Sequence, residues 1–217
     1  MDSAQTNLLR ELLDGTAWYG ECRGFARNLR RAPRTPGGLL LVGTPEEEPW
    51  HLAAHLDTEA GLSGLPQLVP TLVRHQVPDG APPHLAVPLN RLVEARRGEA
   101  VLIVAPDDPG APLLERVDDA RRRGAAILTV AEDGEASGEL LSLSHEALLV
   151  PENGVVPGFD AAQHVLASAA GEHDRRGGRG GRGGGGGQGG DGGRQGFRDR
   201  LTAFIDQVSG GSADTYR

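Results

Sequence analysis

Gly98 to Val130 reads GEAVLIVAPDDPGAPLLERVDDARRRGAAILTV, and the order of its apolar and polar residues decides the fold. Ala100 to Ala105 is apolar without alternation, the pattern of a strand covered on both faces of a parallel sheet. Pro106 to Pro112 then has to be a strand-to-helix turn. Leu113, Leu114, Val117 and Ala120 recur at helical spacing, while Glu115, Arg116, Asp118 and Arg121 to Arg123 fall on the other side. Gly124 stops the helix, and Ala125 to Val130 enters as the next buried strand.

Upstream, Gly37 to Gly43 (GGLLLVG) repeats the design. A turn of TPEEE follows, then a helix over Pro49 to Ala60 whose buried stripe is Leu52, Ala53, Leu56 and Ala60. Residues 3 to 31 read as helical with a break near Asp14-Gly15, and Trp18, Cys22, Phe25 and Leu29 share one buried face. Between residues 61 and 98 the prolines leave room for a short strand over Thr71 to Gln76 and a helix over Leu89 to Arg97. Downstream, Glu139 to Leu143 is a brief helix and Ala147 to Val150 the last strand. Asp160 is placed to cap a helix over Ala161 to Ala170. Five strands separated mostly by helices give a three-layer α/β/α sandwich on a parallel sheet, and right-handed crossovers favour the flavodoxin-like order.

The expected division is an α/β domain over 1–173, a Gly/Arg linker over 174–196, an amphipathic helix over 197–209 and a tail over 210–217. The tract from Asp174 to Gly196 has nothing apolar to bury and should be disordered. Its RGG repeats carry no interleaved aromatic residue, so a linker is expected rather than an RNA contact. Phe197, Leu201, Phe204, Ile205 and Val208 then share one face of a helix too short to stand alone in water, which has to dock on its own core, a sister subunit or another protein.

Composition narrows the partners. A net charge of −8 over 217 residues attracts neither nucleic acid nor an anionic membrane. Every basic residue is arginine, a bias that a GC-rich coding sequence produces without functional cause. The single cysteine, Cys22, cannot form an intramolecular disulfide, and no apolar run approaches the roughly 20 residues of a membrane span. A soluble cytoplasmic homo-oligomer is the expectation.

In a doubly wound sheet the ligand sits beyond the carboxyl ends of the strands, here at Thr44 to Glu48 and Pro106 to Gly110. The order GGLLLVG, HLAAHL, GEAVLIVA, ARRRGAAILTV and HEALLVP, over about Leu8 to Gly171, resembles the sugar isomerase (SIS) domain, nearest the sedoheptulose-7-phosphate isomerase subgroup. That resemblance implies a phosphosugar held at Gly43, Thr44, Asp107, Asp108 and Gly110. The family's loops present serine and threonine hydroxyls, whereas here only Thr44 remains and the rest is proline or carboxylate. Each carboxylate beside a phosphate dianion costs on the order of 1 kcal/mol even at an effective dielectric near 20. Acids also stabilise helix N-termini, so these turns read as filling the anion site themselves.

His51, His55 and Glu59 step by four along one helical strip, a spacing that suits a divalent metal such as zinc and equally a solvated or interface strip. The resemblance places His51 at a metal-ligand position and His55 where the subgroup carries its catalytic glutamate, with His164 or His173 completing the site. Two readings follow. One is a non-catalytic, oligomerising binding or regulatory module on the SIS-like fold, with the C-terminal helix available to a protein partner. The other is a divergent metal-dependent phosphosugar isomerase in which His55 moves the proton.

Overall fold

The computed structural model describes residues 3–134, 137–151, 156 and 158–172. The linker, the C-terminal helix and His173 of the sequence reading lie outside these residues. Apolar runs of four to seven residues form five parallel strands: β1 Leu39–Val42, β2 Pro70–Val73, β3 Ala100–Ala105, β4 Ala126–Glu132 and β5 Glu146–Val150. Their order across the sheet is β2-β1-β3-β4-β5, the flavodoxin-like order. Leu39 lies opposite both Pro70 and Ala100, so β1 and β3 are neighbours at the sheet's centre whose connections leave in opposite directions. Their carboxyl ends define the switch point.

Side-chain alternation divides the sheet between two cores. Leu39, Leu41, Leu102, Val104, Leu128 and Val130 face a layer formed by α1 Ser3–Leu13, α2 Ala17–Arg31, α3 Trp50–Ser63 and α6 Phe159–Gly171. Leu40, Val42, Val101, Ile103, Ala105 and Ile127 face α4 Ala111–Arg122, α5 Gly138–Leu143 and a 3-10 segment, Leu89–Glu94. All six residues of β3 are buried, as an uninterrupted apolar run between two layers requires. At roughly 1.5–3 kcal/mol for each large aliphatic side chain removed from water, these two cores hold the sheet.

The break expected near Asp14-Gly15 separates α1 from α2. The hydroxyl of Thr16 accepts from the Tyr19 N–H and starts the second helix. Trp18, Cys22, Phe25 and Leu29 are buried as one face, and the Trp18 indole N–H donates to the Leu149 carbonyl at 2.8 Å. Three local expectations are corrected. The helix read over Leu89 to Arg97 is the shorter 3-10 segment, because Pro88 fixes its start and Ala95 leaves in an extended conformation. The strand read over Thr71 to Gln76 runs Pro70–Val73. Asp160 does not cap α6: Gly158 holds the cap position without a side-chain bond, and Asp160 lies inside the first turn.

Candidate functional site

The first turn at the switch point closes on itself. Thr44 is fully buried, and its hydroxyl oxygen accepts from the Glu47 N–H at 3.2 Å while its own N–H donates to the Glu47 carbonyl at 3.1 Å. The chain returns so tightly that a Cβ on Gly43 would overlap the Glu47 carbonyl oxygen and crowd the Pro49 ring. Glycine is therefore required at 43. Glu48 then anchors the turn sideways: its carboxylate accepts from Arg74 Nε at 3.0 Å and from the Trp50 indole at 2.9 Å, and pairs with Arg74 Nη2 at 2.9 Å. The Arg74 guanidinium lies 4.9 Å over the Trp50 ring, and His75 Nε2 lies 3.0 Å from the Gly43 carbonyl.

The second turn, Pro106 to Gly110, closes by another route. Asp108 Oδ1 accepts from the Gly110 N–H at 2.9 Å, so a carboxylate of the chain sits at the start of α4. Gly110 has φ 71° and ψ 149°, a conformation that L side chains rarely adopt. Pro112 brings no N–H to the first turn of α4, and the N–H groups of Leu113 and Leu114 both turn back to the Gly110 carbonyl. Most donors that an α/β fold offers to an anion at this place are thus already used.

The two turns and the start of α6 meet. A Cβ on Gly110 would come within 3.9 Å of the Pro45 ring. The Glu47 carboxyl is pushed above the usual carboxylate range, first by partial loss of solvent and then by the Asp160 and Asp107 carboxylates. Among the described residues, no arginine forms an ion pair with any of the three. Gln163, buried one turn into α6, donates from Nε2 to Asp160 Oδ1 at 3.4 Å, and its Oε1 is buried without a partner.

Beside this acidic rim lies a group of imidazoles. The His55 and His164 rings stand edge to face with centroids 4.3 Å apart, and His51 and His164 are 6.4 Å apart. His164 is 8% exposed, and its Nδ1 has no hydrogen-bond partner. Burial, with His55 and His51 beside it, pushes its pKa down to about 4, so the ring is neutral at pH 7. Burial also lowers His55.

The structure therefore brings together His51, His55 and His164. Glu59, which the sequence put in the same strip, lies one turn further along α3 beside Gly171, at the end of α6. Burial raises the Glu59 carboxyl, while Arg10 lowers it. Neutral imidazoles suit zinc-like ions. As the side chains stand, however, no group of three or more His, Cys, Asp or Glu among the described residues has a metal-holding arrangement. Sequence reasoning missed the Arg74 clamp and the contribution of Asp160 and Gln163. Arg74 was recognisable only as the residue that follows β2 at the same end of the sheet.

No family model and no curated protein sequence matches the chain. Among solved structures it is similar to a protein described as a phosphosugar isomerase from Silicibacter pomeroyi, with 16% identity and a TM-score of 0.50 over 94% of this chain and 54% of that one. The chain spans about half the length of that relative. The Vibrio vulnificus NanR protein complexed with ManNAc-6P gives 13% identity and a TM-score of 0.48, over 98% of this chain and 70% of that one. The sugar isomerase domain of the RpiR transcription factor from Sphaerobacter thermophilus gives 12% and 0.46, over 95% and 94%. At such identities the likeness is one of fold alone, that of an α/β protein with a five-stranded parallel sheet.

Proposed function

We propose that this chain is a carbohydrate-derivative-binding module on a SIS-like scaffold, acting as a non-catalytic, oligomerising binding or regulatory unit in the cytoplasm. The observation that supports this reading is the state of the two turns. The Thr44 hydroxyl and N–H are engaged with Glu47, the Gly110 N–H with Asp108, and Glu47, Asp107 and Asp160, none in an ion pair with an arginine among the described residues, line the rim where a phosphosugar would place its phosphate. A scaffold altered in this way keeps its shape and loses its anion cradle.

A second reading rests on a separate observation, the approach of His164 to His55 and His51. It is the divergent, metal-dependent isomerase of the sedoheptulose-7-phosphate type, with His51 among the ligands and His55 as the proton carrier. Metal analysis of the purified protein, combined with thermal-shift titration of sedoheptulose and hexosamine phosphates, separates the two. The binding-module reading expects no stoichiometric metal and no shift that depends on His51. Stoichiometric metal with a phosphosugar shift that disappears in His51→Ala overturns it.

A further inference from the structure

Helix α3 differs from the other long helices in what it shows to water. The outer side of α2 carries Glu21, Arg27, Asn28 and Arg31, and that of α4 carries Glu115 and Arg121 to Arg123. On α3 the exposed positions are Trp50, His51, Ala54, Asp57, Thr58, Gly61 and Leu62, with no arginine or lysine anywhere in the helix. Leu62 is 79% exposed, the highest value among the large apolar side chains of the described residues. A Cβ on Gly61 would meet nothing within 4 Å. With Trp50, Ala54, Gly61 and Leu62 on its outer side and Asp57 the single acid or arginine among its exposed positions, α3 offers water fewer charged groups than the outer sides of α2 and α4 do.

We propose that residues 197–209 of the same chain cover this face as a docked amphipathic helix. Three observations favour that occupant. Helix α6 packs against α3 and ends at Gly171 beside Glu59, so the chain leaves the described fold next to the exposed end of α3. A Gly-rich stretch of the length of 173–196 spans roughly 25–30 Å root-mean-square, more than the roughly 21 Å length of α3. The charges also match. On a helical projection Phe197, Leu201, Phe204, Ile205 and Val208 form one face, with Arg198 and Arg200 on its two flanks and Asp199 and Asp206 opposite. The receiving face has Asp57 at one edge, and α3 itself carries no arginine or lysine to repel those arginines. Small side chains at Ala54 and Gly61 let the second helix approach closely. This inference is independent of the functional reading above.

The test uses the full chain carrying Gly61→Cys. Cys22 is buried and its thiol is pushed up to about 12, so it does not compete for reagent. Maleimide labelling at position 61 should be slow, and should accelerate severalfold when Phe204→Asp and Ile205→Asp are added, with no change in mass by light scattering. Equal labelling rates with and without those two substitutions overturn the proposal. Faster labelling accompanied by a drop in mass overturns it in favour of docking on the α3 of a second copy.

Discussion

The turns after β1 and after β3 occupy equivalent places at the switch point, yet they use their donors by unrelated means. The first uses a threonine as an internal brace and ties itself to a neighbouring strand through Glu48 and Arg74. The second is short and self-contained, an aspartate over a helix start between prolines. One turn is therefore part of the packing of the sheet's end, and the other is a local cap. The same kind of substitution should have different consequences in the two.

Gly43→Ala and Gly110→Ala are the strongest contrast. At 43 a methyl group collides with backbone that cannot move without opening the turn and the Pro49 entry into α3, and a loss of about 2–4 kcal/mol is expected. At 110 the nearest atoms to a new Cβ are 3.8 Å and 3.9 Å away, so only the unfavourable backbone conformation counts, about 1–2 kcal/mol. Chemical denaturation of both variants measures the difference, and equal losses would mean that the first turn is no more constrained than the second. Arg74→Ala extends the comparison. It strands the half-buried Glu48 carboxylate and uncovers Trp50, and should cost about 1–2 kcal/mol. Arg116→Ala, which removes a bond to the Pro112 carbonyl beside the second turn, should stay within about 0.5 kcal/mol.

Asp108→Ala tests the idea that the second turn supplies its own anion. Stability should fall by about 0.5–1 kcal/mol, as for the loss of other helix-start acceptors. The freed Gly110 N–H should then bind inorganic phosphate, seen as a phosphate-dependent thermal shift absent from the parent protein. If parent and variant respond to phosphate alike, the carboxylate is not what keeps anions out.

Much of this arrangement could be read from the residues in order. The six apolar residues of Ala100 to Ala105 allow one interpretation, and β3 has those limits. The acids of TPEEE and PDDP announced altered turns, because residue type alone sets whether a turn carries donors or acceptors. Residues brought near by packing could not be read so directly. His164 joins His55 only because α6 lies on α3, Arg74 reaches Glu48 only because β2 flanks β1, and Asp160 joins the acidic rim only because α6 starts at the carboxyl end of the sheet. Glu59 shows the converse: a spacing of four along α3 put it in line with the histidines, but Gly171 leaves room that draws its carboxylate to the far end of α6. The helix read over Leu89 to Arg97 failed because spacing does not separate a 3-10 segment from an α-helix over so few residues.

The smallest expected effect concerns the point where the two turns meet. Glu47 of the first turn is raised in pKa in the folded chain, first by partial loss of solvent and then by the charges of Asp160 of α6 and Asp107 of the second turn. A carboxyl group with a raised folded pKa binds its proton more readily when folded than unfolded, so folding is favoured where that proton is bound. Stability from this source is present at low pH and falls as pH rises from the ordinary carboxylate range through the folded pKa of Glu47. Glu47→Gln removes the titrating charge and should flatten that part of the stability–pH curve, with a slight gain near neutrality that shrinks with added salt because the group is exposed. Asp108→Asn, whose carboxylate is not among those acting on Glu47, should leave the same slope in place. If Glu47→Gln and Asp108→Asn alter the curve equally, the coupling between the turns is a diffuse effect of net charge. If only Glu47→Gln does, the two turns share one electrostatic site although they close independently.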